Sequence, residues 1–96
     1  MRAWLLAALV AVSSHPALSA GDSAEGRRLA QQWCSACHGA SDAVPSLETI
    51  ANRPGRTPYT LRAWLMEPHP PMPNFSLPRE QIDDLVAYLA SLARSR

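Results

Sequence analysis

The sequence predicts an all-α domain of three to four helices, and three observations point there. Between residue 21 and the end of the 96-residue chain only Val44, Ile50, Ile82 and Val86 are β-branched aliphatics, and no stretch alternates apolar and polar residues as a half-buried strand would. Near the C-terminus Ile82, Leu85, Val86, Leu89 and Leu92 recur at helical spacing, which marks one buried face. Helix start and stop signals punctuate the rest: Asp22-Ser23, Thr57-Pro58 and Pro68 sit where caps, first-turn prolines and terminators belong.

Residues 1–20 read as a secretory signal. Arg2 supplies a positive charge, Trp4 to Val12 form an apolar run, His15 and Pro16 break it, and the small residues of "ALSA" follow as at a cleavage site. Cleavage is expected near Ser19 to Ala20. The run is too short for a bilayer span, which needs about 20 residues. The expected organisation is a signal at 1–20 and one domain at 21–96. A domain of that size is near the lower limit for a self-sufficient core, so a staple is expected.

The first helix is expected over Ser23 to Trp33, capped by Asp22 or Ser23 and with Glu25 in its first turn. Gly26 lies inside it, at a cost of about 1 kcal/mol relative to alanine, and asks for a packing reason. Residues 38–55 read as loop, with one short helical turn over Ser46 to Ala51. A further helix is expected from Thr57, with Pro58 at its first position, through "YTLRAWLME" to the stop at Pro68. In "PHPPMPNF", four prolines within residues 68–73 predict an extended, stiff segment. The last helix is expected from Pro78 to Leu92.

Charge gives no sign of a nucleic-acid partner. All nine basic residues are Arg and eight residues are Asp or Glu. No basic stripe exists, so nothing predicts nucleic-acid binding.

The stretch "QQWCSACHGAS" holds both cysteines, Cys34 and Cys37, followed by His38. Four chemistries compete for it. A zinc site needs four ligands, and beyond these three only His69 and carboxylates remain in residues 21–96. A thiol–disulfide site usually places its C-x-x-C at a helix N-terminus beside a sheet, and no sheet is expected. Two free thiols would not stay free after export. A structural disulfide is not counted among the four, because across a two-residue gap it contributes little loop entropy. The fourth reading, covalent attachment of haem c, has C-x-x-C-H as its signature. The two thiols add to vinyl groups on one edge of the porphyrin, and the next residue can bring an imidazole to the iron. This reading also supplies the staple, and it is the one the sequence favours.

A second axial ligand is expected at Met72, 34 positions after His38 in the proline-rich segment, because a soft thioether suits haem iron. Met66 and His69 are the rivals. Met66 is expected to fill the core within its helix, and His69 to cap a turn or face solvent. With His38 and Met72 both bound the iron would have no open position, which favours electron transfer over catalysis.

The chain at this point resembles the class I c-type cytochromes over nearly all of residues 23–92. "GRRLAQQWCSACHG" resembles their entry helix and haem motif, with Gly26 eight positions before Cys34. The resemblance implies that this glycine lets the last helix cross closely, with Tyr88 as the matching aromatic. "VPSL" resembles the proline segment whose carbonyl, here that of Pro45, accepts from the ligand histidine ring. "MPNFSL" resembles the methionine loop. Arg53 and Trp64 are implied candidates for contact with the haem propionates. Two departures stand out: Pro78 opens the last helix in place of Ser or Thr, and there are no lysines. The resemblance implies a cytochrome c-like fold around one haem. It implies a periplasmic carrier of single electrons between donor and acceptor proteins. The carrier would be a monomer or a small subunit of a dehydrogenase or oxidase complex, without enzymatic activity of its own.

Overall fold

A computed structural model describes residues 21–94, together with Ala3 and Ala8. The expected leader, apart from those two positions, lies outside the described residues. Four helices follow in order: α1 (Ser23–Trp33), α2 (Leu47–Ala51), α3 (Pro58–Met66) and α4 (Arg79–Leu92). Among the described residues there is no strand. The all-α expectation therefore stands, with element ends within a residue or so of those expected.

The ends are set by local chemistry. Of the two cap candidates before α1, Asp22 is the one used: its carboxylate accepts from the N–H groups of Ala24 and Glu25 at 2.9 and 3.1 Å. α2 begins after Ser46 because the Ser46 hydroxyl accepts from the Thr49 N–H. α3 opens with Pro58 behind a capping box in which Thr57 and Thr60 each accept from the other's N–H. Two donors left over at the helix start are satisfied at once. α4 has no side-chain cap; Pro78 precedes it with φ −57°, so ring geometry alone presets the entry.

α4 is the hub. α1, α2 and α3 each pack on it. The face expected from periodicity is the buried one: Ile82, Leu85, Val86 and Leu89 are buried. Leu29, Ala30 and Leu85 make one cluster. Leu61, Ile82, Val86 and Leu89 make the other. Leu47, Leu65 and Leu77 pack against both and join them. Polar ties hold the periphery. Arg62 donates to Asp83 at 2.8 and 3.1 Å, linking α3 to α4. Asn52 at the end of α2 donates to the Leu92 carbonyl at 3.0 Å and accepts from the Arg94 N–H at 2.7 Å.

Gly26 has its packing reason. A Cβ there would fall on the backbone carbonyl of Asp84 and lie 2.8 Å from the Tyr88 Cβ. α1 crosses α4 at this point, as the resemblance implied. Just before α1, the Asp22 N–H donates to the Asp84 carboxylate at 2.8 Å.

Gly26→Ala is expected to destabilise the folded protein by about 3 kcal/mol, the upper end of overpacking costs, because the obstacle is backbone that cannot rotate away. A chemical-denaturation midpoint measures this; an unchanged midpoint would show that the helices separate freely at the crossing.

Candidate functional site

The cysteine motif is a continuation of α1 rather than a separate loop. The Cys34 and Ser35 N–H groups both donate to the Ala30 carbonyl at 2.9 Å. The Ser35 hydroxyl joins them at 3.1 Å. The next turn closes with Cys37 N–H and His38 N–H donating to the Cys34 carbonyl at 3.2 and 2.9 Å. Cys34 and His38 thus lie one turn apart, with Cys37 between them. Gly39 then leaves at φ +102°, a left-handed conformation that favours glycine. Nothing would meet a Cβ there, so dihedral freedom and not crowding is the reason for this glycine.

The His38 ring is held. Its Nδ1 lies 2.8 Å from the carbonyl oxygen of Pro45. A carbonyl only accepts, so Nδ1 carries the proton and donates. In the neutral ring Nε2 is then the nitrogen that carries the lone pair, the form an imidazole needs to bind a metal. Pro45 is placed by the next residue, since Ser46 caps α2 and α2 packs on α4.

Electrostatics separates the competing chemistries. Burial pushes the Cys34 thiol up from its ordinary value. Cys34 is also the C-cap of α1, at the negative end of the helix dipole. A thiol–disulfide catalyst needs the opposite, a thiolate stabilised at a helix N-terminus. Zinc fares no better, because no three His, Cys, Asp or Glu among the described residues group to hold a metal ion.

The Met72 segment differs from expectation. In place of an extended run, residues 69–72 make a turn, with the Met72 N–H donating to the His69 carbonyl at 3.1 Å and a cis peptide between Pro70 and Pro71. Proline fixes φ but leaves ψ free, so proline density is no guide to the shape of this segment. Downstream, the Asn74 carboxamide oxygen accepts from the Ser76 N–H at 2.9 Å. Leu77 then enters the core. Phe75 packs on Trp33, the residue before Cys34, with ring centroids 5.9 Å apart. Met72 itself is half-buried.

Three further residues stand as follows. Met66 is exposed, which corrects the expectation that it fills the core; it is the last residue of α3. His69 faces solvent and stacks on Trp64 at 4.6 Å and 4°, and its carbonyl closes the Met72 turn. Trp64 is partly exposed rather than buried and carries the Arg56 guanidinium at 5.5 Å, whereas Arg53 is exposed. Sequence reasoning missed Trp33, Phe75 and Arg56. The first two flank the candidate ligands, but their pairing spans 42 positions and no local period shows it.

The donor set and its surroundings fit a haem. Two thiols and a lone-pair-bearing imidazole lie within one turn. Half-exposed apolar side chains, Trp33, Trp64, Met66 and Phe75, flank the motif or the Met72 segment in sequence. Comparison with known proteins agrees. Residues 21–89 match the family described as cytochrome c oxidase, cbb3-type, subunit III. Cytochrome c-552 of Bradyrhizobium diazoefficiens is 40% identical over 99 aligned residues, covering 96% of this chain and 94% of that protein. No solved structure matches.

Because Ser46 fixes the segment that supplies the Pro45 carbonyl, Ser46→Ala should cost about 1 kcal/mol of stability, and Ser46→Asp should retain most of it. Equal denaturation midpoints for wild type and Ser46→Ala would mean that the cap does not hold this loop.

Proposed function

Since this chain belongs to the c-type cytochromes, in the family described as cytochrome c oxidase, cbb3-type, subunit III, we propose that it is an exported, periplasmic carrier of single electrons. In this reading its haem c is bound by thioethers at Cys34 and Cys37 and ligated by His38 and Met72. Residues 1–20 are the signal removed on export. The observation that carries the reading is the His38 to Pro45 hydrogen bond, which commits Nδ1 to a carbonyl and leaves Nε2 as the ring nitrogen available to a metal, one turn from Cys34.

When bound, the haem supplies a reversible one-electron Fe(III)/Fe(II) couple. Everything else is the work of the chain. Cys34 and Cys37 fix the edge of the ring and convert a marginal core into a stapled one. The Pro45 carbonyl orients the imidazole and raises its basicity. Met72 supplies a thioether, which raises the reduction potential relative to a second imidazole. It also closes the position where a substrate or gas would bind, and for that reason we assign no catalysis. Donor and acceptor are redox proteins. The family description favours a second reading, a haem subunit held within a larger oxidase or dehydrogenase. The match to cytochrome c-552 over nearly the whole of both chains supports a small one-domain cytochrome, which both readings share.

Protein matured with a haem-attachment system should keep its haem through acid–acetone extraction. A double Cys34→Ser, Cys37→Ser chain should lose it. Met72→Ala should lose the long-wavelength ferric band of methionine–iron ligation, bind carbon monoxide readily when reduced, and drop in potential by a sizeable part of the ~0.8 V range that axial ligands control. Persistence of that band in Met72→Ala would move the ligand to Met66; extractable haem in the wild type would end the proposal.

A further inference from the structure

The candidate ligands come from two separate pieces of chain. His38 is locked to its side by the turn of the motif and by Pro45. Met72 has no such bond to α1 or to the motif. Its N–H is used within its own turn, by the His69 carbonyl. Asn74 bonds within the same segment and to the Met66 carbonyl on α3 at 3.5 Å. The ring contact between Trp33 and Phe75 joins the segment to the end of α1, next to Cys34.

We propose that Trp33 and Phe75 are positioning residues, a clasp that holds the Met72 segment closed over the cysteine–histidine motif and so sets how firmly Met72 stays on the iron. This inference rests on the assignment of Met72 as ligand. The chemistry of the pair suits the role. Trp33 ends α1, three positions after the buried Ala30, and precedes Cys34, which packs on the α1–α4 cluster, so its backbone is held from both sides. Phe75 sits between Met72 and Leu77, and Leu77 is anchored in both core clusters. The rings meet tilted at 49°, within the distance range where aromatic pairs attract beyond simple burial. Neither Trp33 nor Phe75 belongs to the two core clusters, so core packing does not account for their contact. A single ring pair gives a modest bias between a closed and an open segment, not a permanent lock. That bias is a population ratio.

Carbon monoxide reads that ratio, because it reaches the iron of the reduced protein only when the methionine has left. A tilted aromatic pair of ordinary strength corresponds to a change of about two- to tenfold in the closed-to-open ratio. Trp33→Ala and Phe75→Ala in the matured protein should each raise carbon monoxide affinity by about that factor, weaken the ferric methionine band and lower the potential. Trp33→Phe should stay near wild type. The double variant should exceed the larger single effect by little, because the two changes remove one shared contact. Leu92→Ala, at the far end of α4, should lower stability and leave carbon monoxide affinity unchanged. Phe75→Leu keeps apolar bulk without the ring and should show a rise of about twofold even where the alanine variants mature poorly.

Unchanged affinity in these variants, or an equal rise in Leu92→Ala, would overturn the clasp. A wild type lacking the methionine band would instead overturn the Met72 assignment beneath it. A wild type with the band that ignores Trp33 and Phe75 would overturn the clasp alone.

Discussion

The close crossing of α1 over α4 at Gly26 is the constraint on which the site depends. Without a side chain at residue 26, the Asp84 carbonyl and the Tyr88 Cβ come into the space a Cβ would fill. That approach seats Leu29 and Ala30 against Leu85, and Cys34 packs on the same cluster. The end of α1, and the motif that continues it, are therefore placed relative to α4. α2, which follows Pro45, and α3, which leads into the Met72 segment, also pack on α4. One helix is thus the common reference for the cysteines, the His38 acceptor and the thioether.

The core that results is thin. Among the described residues its buried apolar residues are eight, none of them aromatic. At about 25 cal/mol per Å² of apolar surface removed from water, a domain this small has little to set against the entropy of ordering its chain. The larger side chains sit half out on the surface. On the proposed reading the covalent group is structural as well as functional, because a flat apolar ring tied at two thiols extends the core that the side chains alone leave incomplete.

Much of this was legible in the sequence because it rests on local rules. Helix ends followed from Asp22, Ser46, Pro58 and Pro78, each acting within its own turn. The buried face of α4 followed from the spacing of Ile82 to Leu89, and Gly26 asked for a packing reason by its cost, which the resemblance supplied as a close helix crossing. What escaped detection was of another kind. The turn at residues 69–72 depends on ψ angles that proline does not fix. Met66 was misplaced because its apolar character says nothing about which way the last residue of a helix faces. The Trp33–Phe75 and Arg56–Trp64–His69 contacts join segments whose meeting is decided by packing on α4. The candidate ligands were readable as residue types at a spacing; how each is held was readable only on the His38 side, through the resemblance of "VPSL" to a known segment.

That asymmetry between the two sides carries a consequence for control. His38 is fixed by a backbone turn and by a hydrogen bond to a carbonyl that belongs to a capped helix, so moving it would break several bonds at once. The Met72 segment is stiffened by its prolines, anchored at Leu77 and tied to α1 by a solvent-touched ring contact. Stiffness keeps the segment's own shape but does not fix its distance from the motif. On the proposed ligation, affinity of the iron for its histidine is set by the fold as a whole, whereas occupancy by methionine is set by a contact worth about 1 kcal/mol. Sequence change in Trp33, Phe75 or the prolines between them could then tune ligation and potential without touching the thioether motif or the helix crossing that positions it.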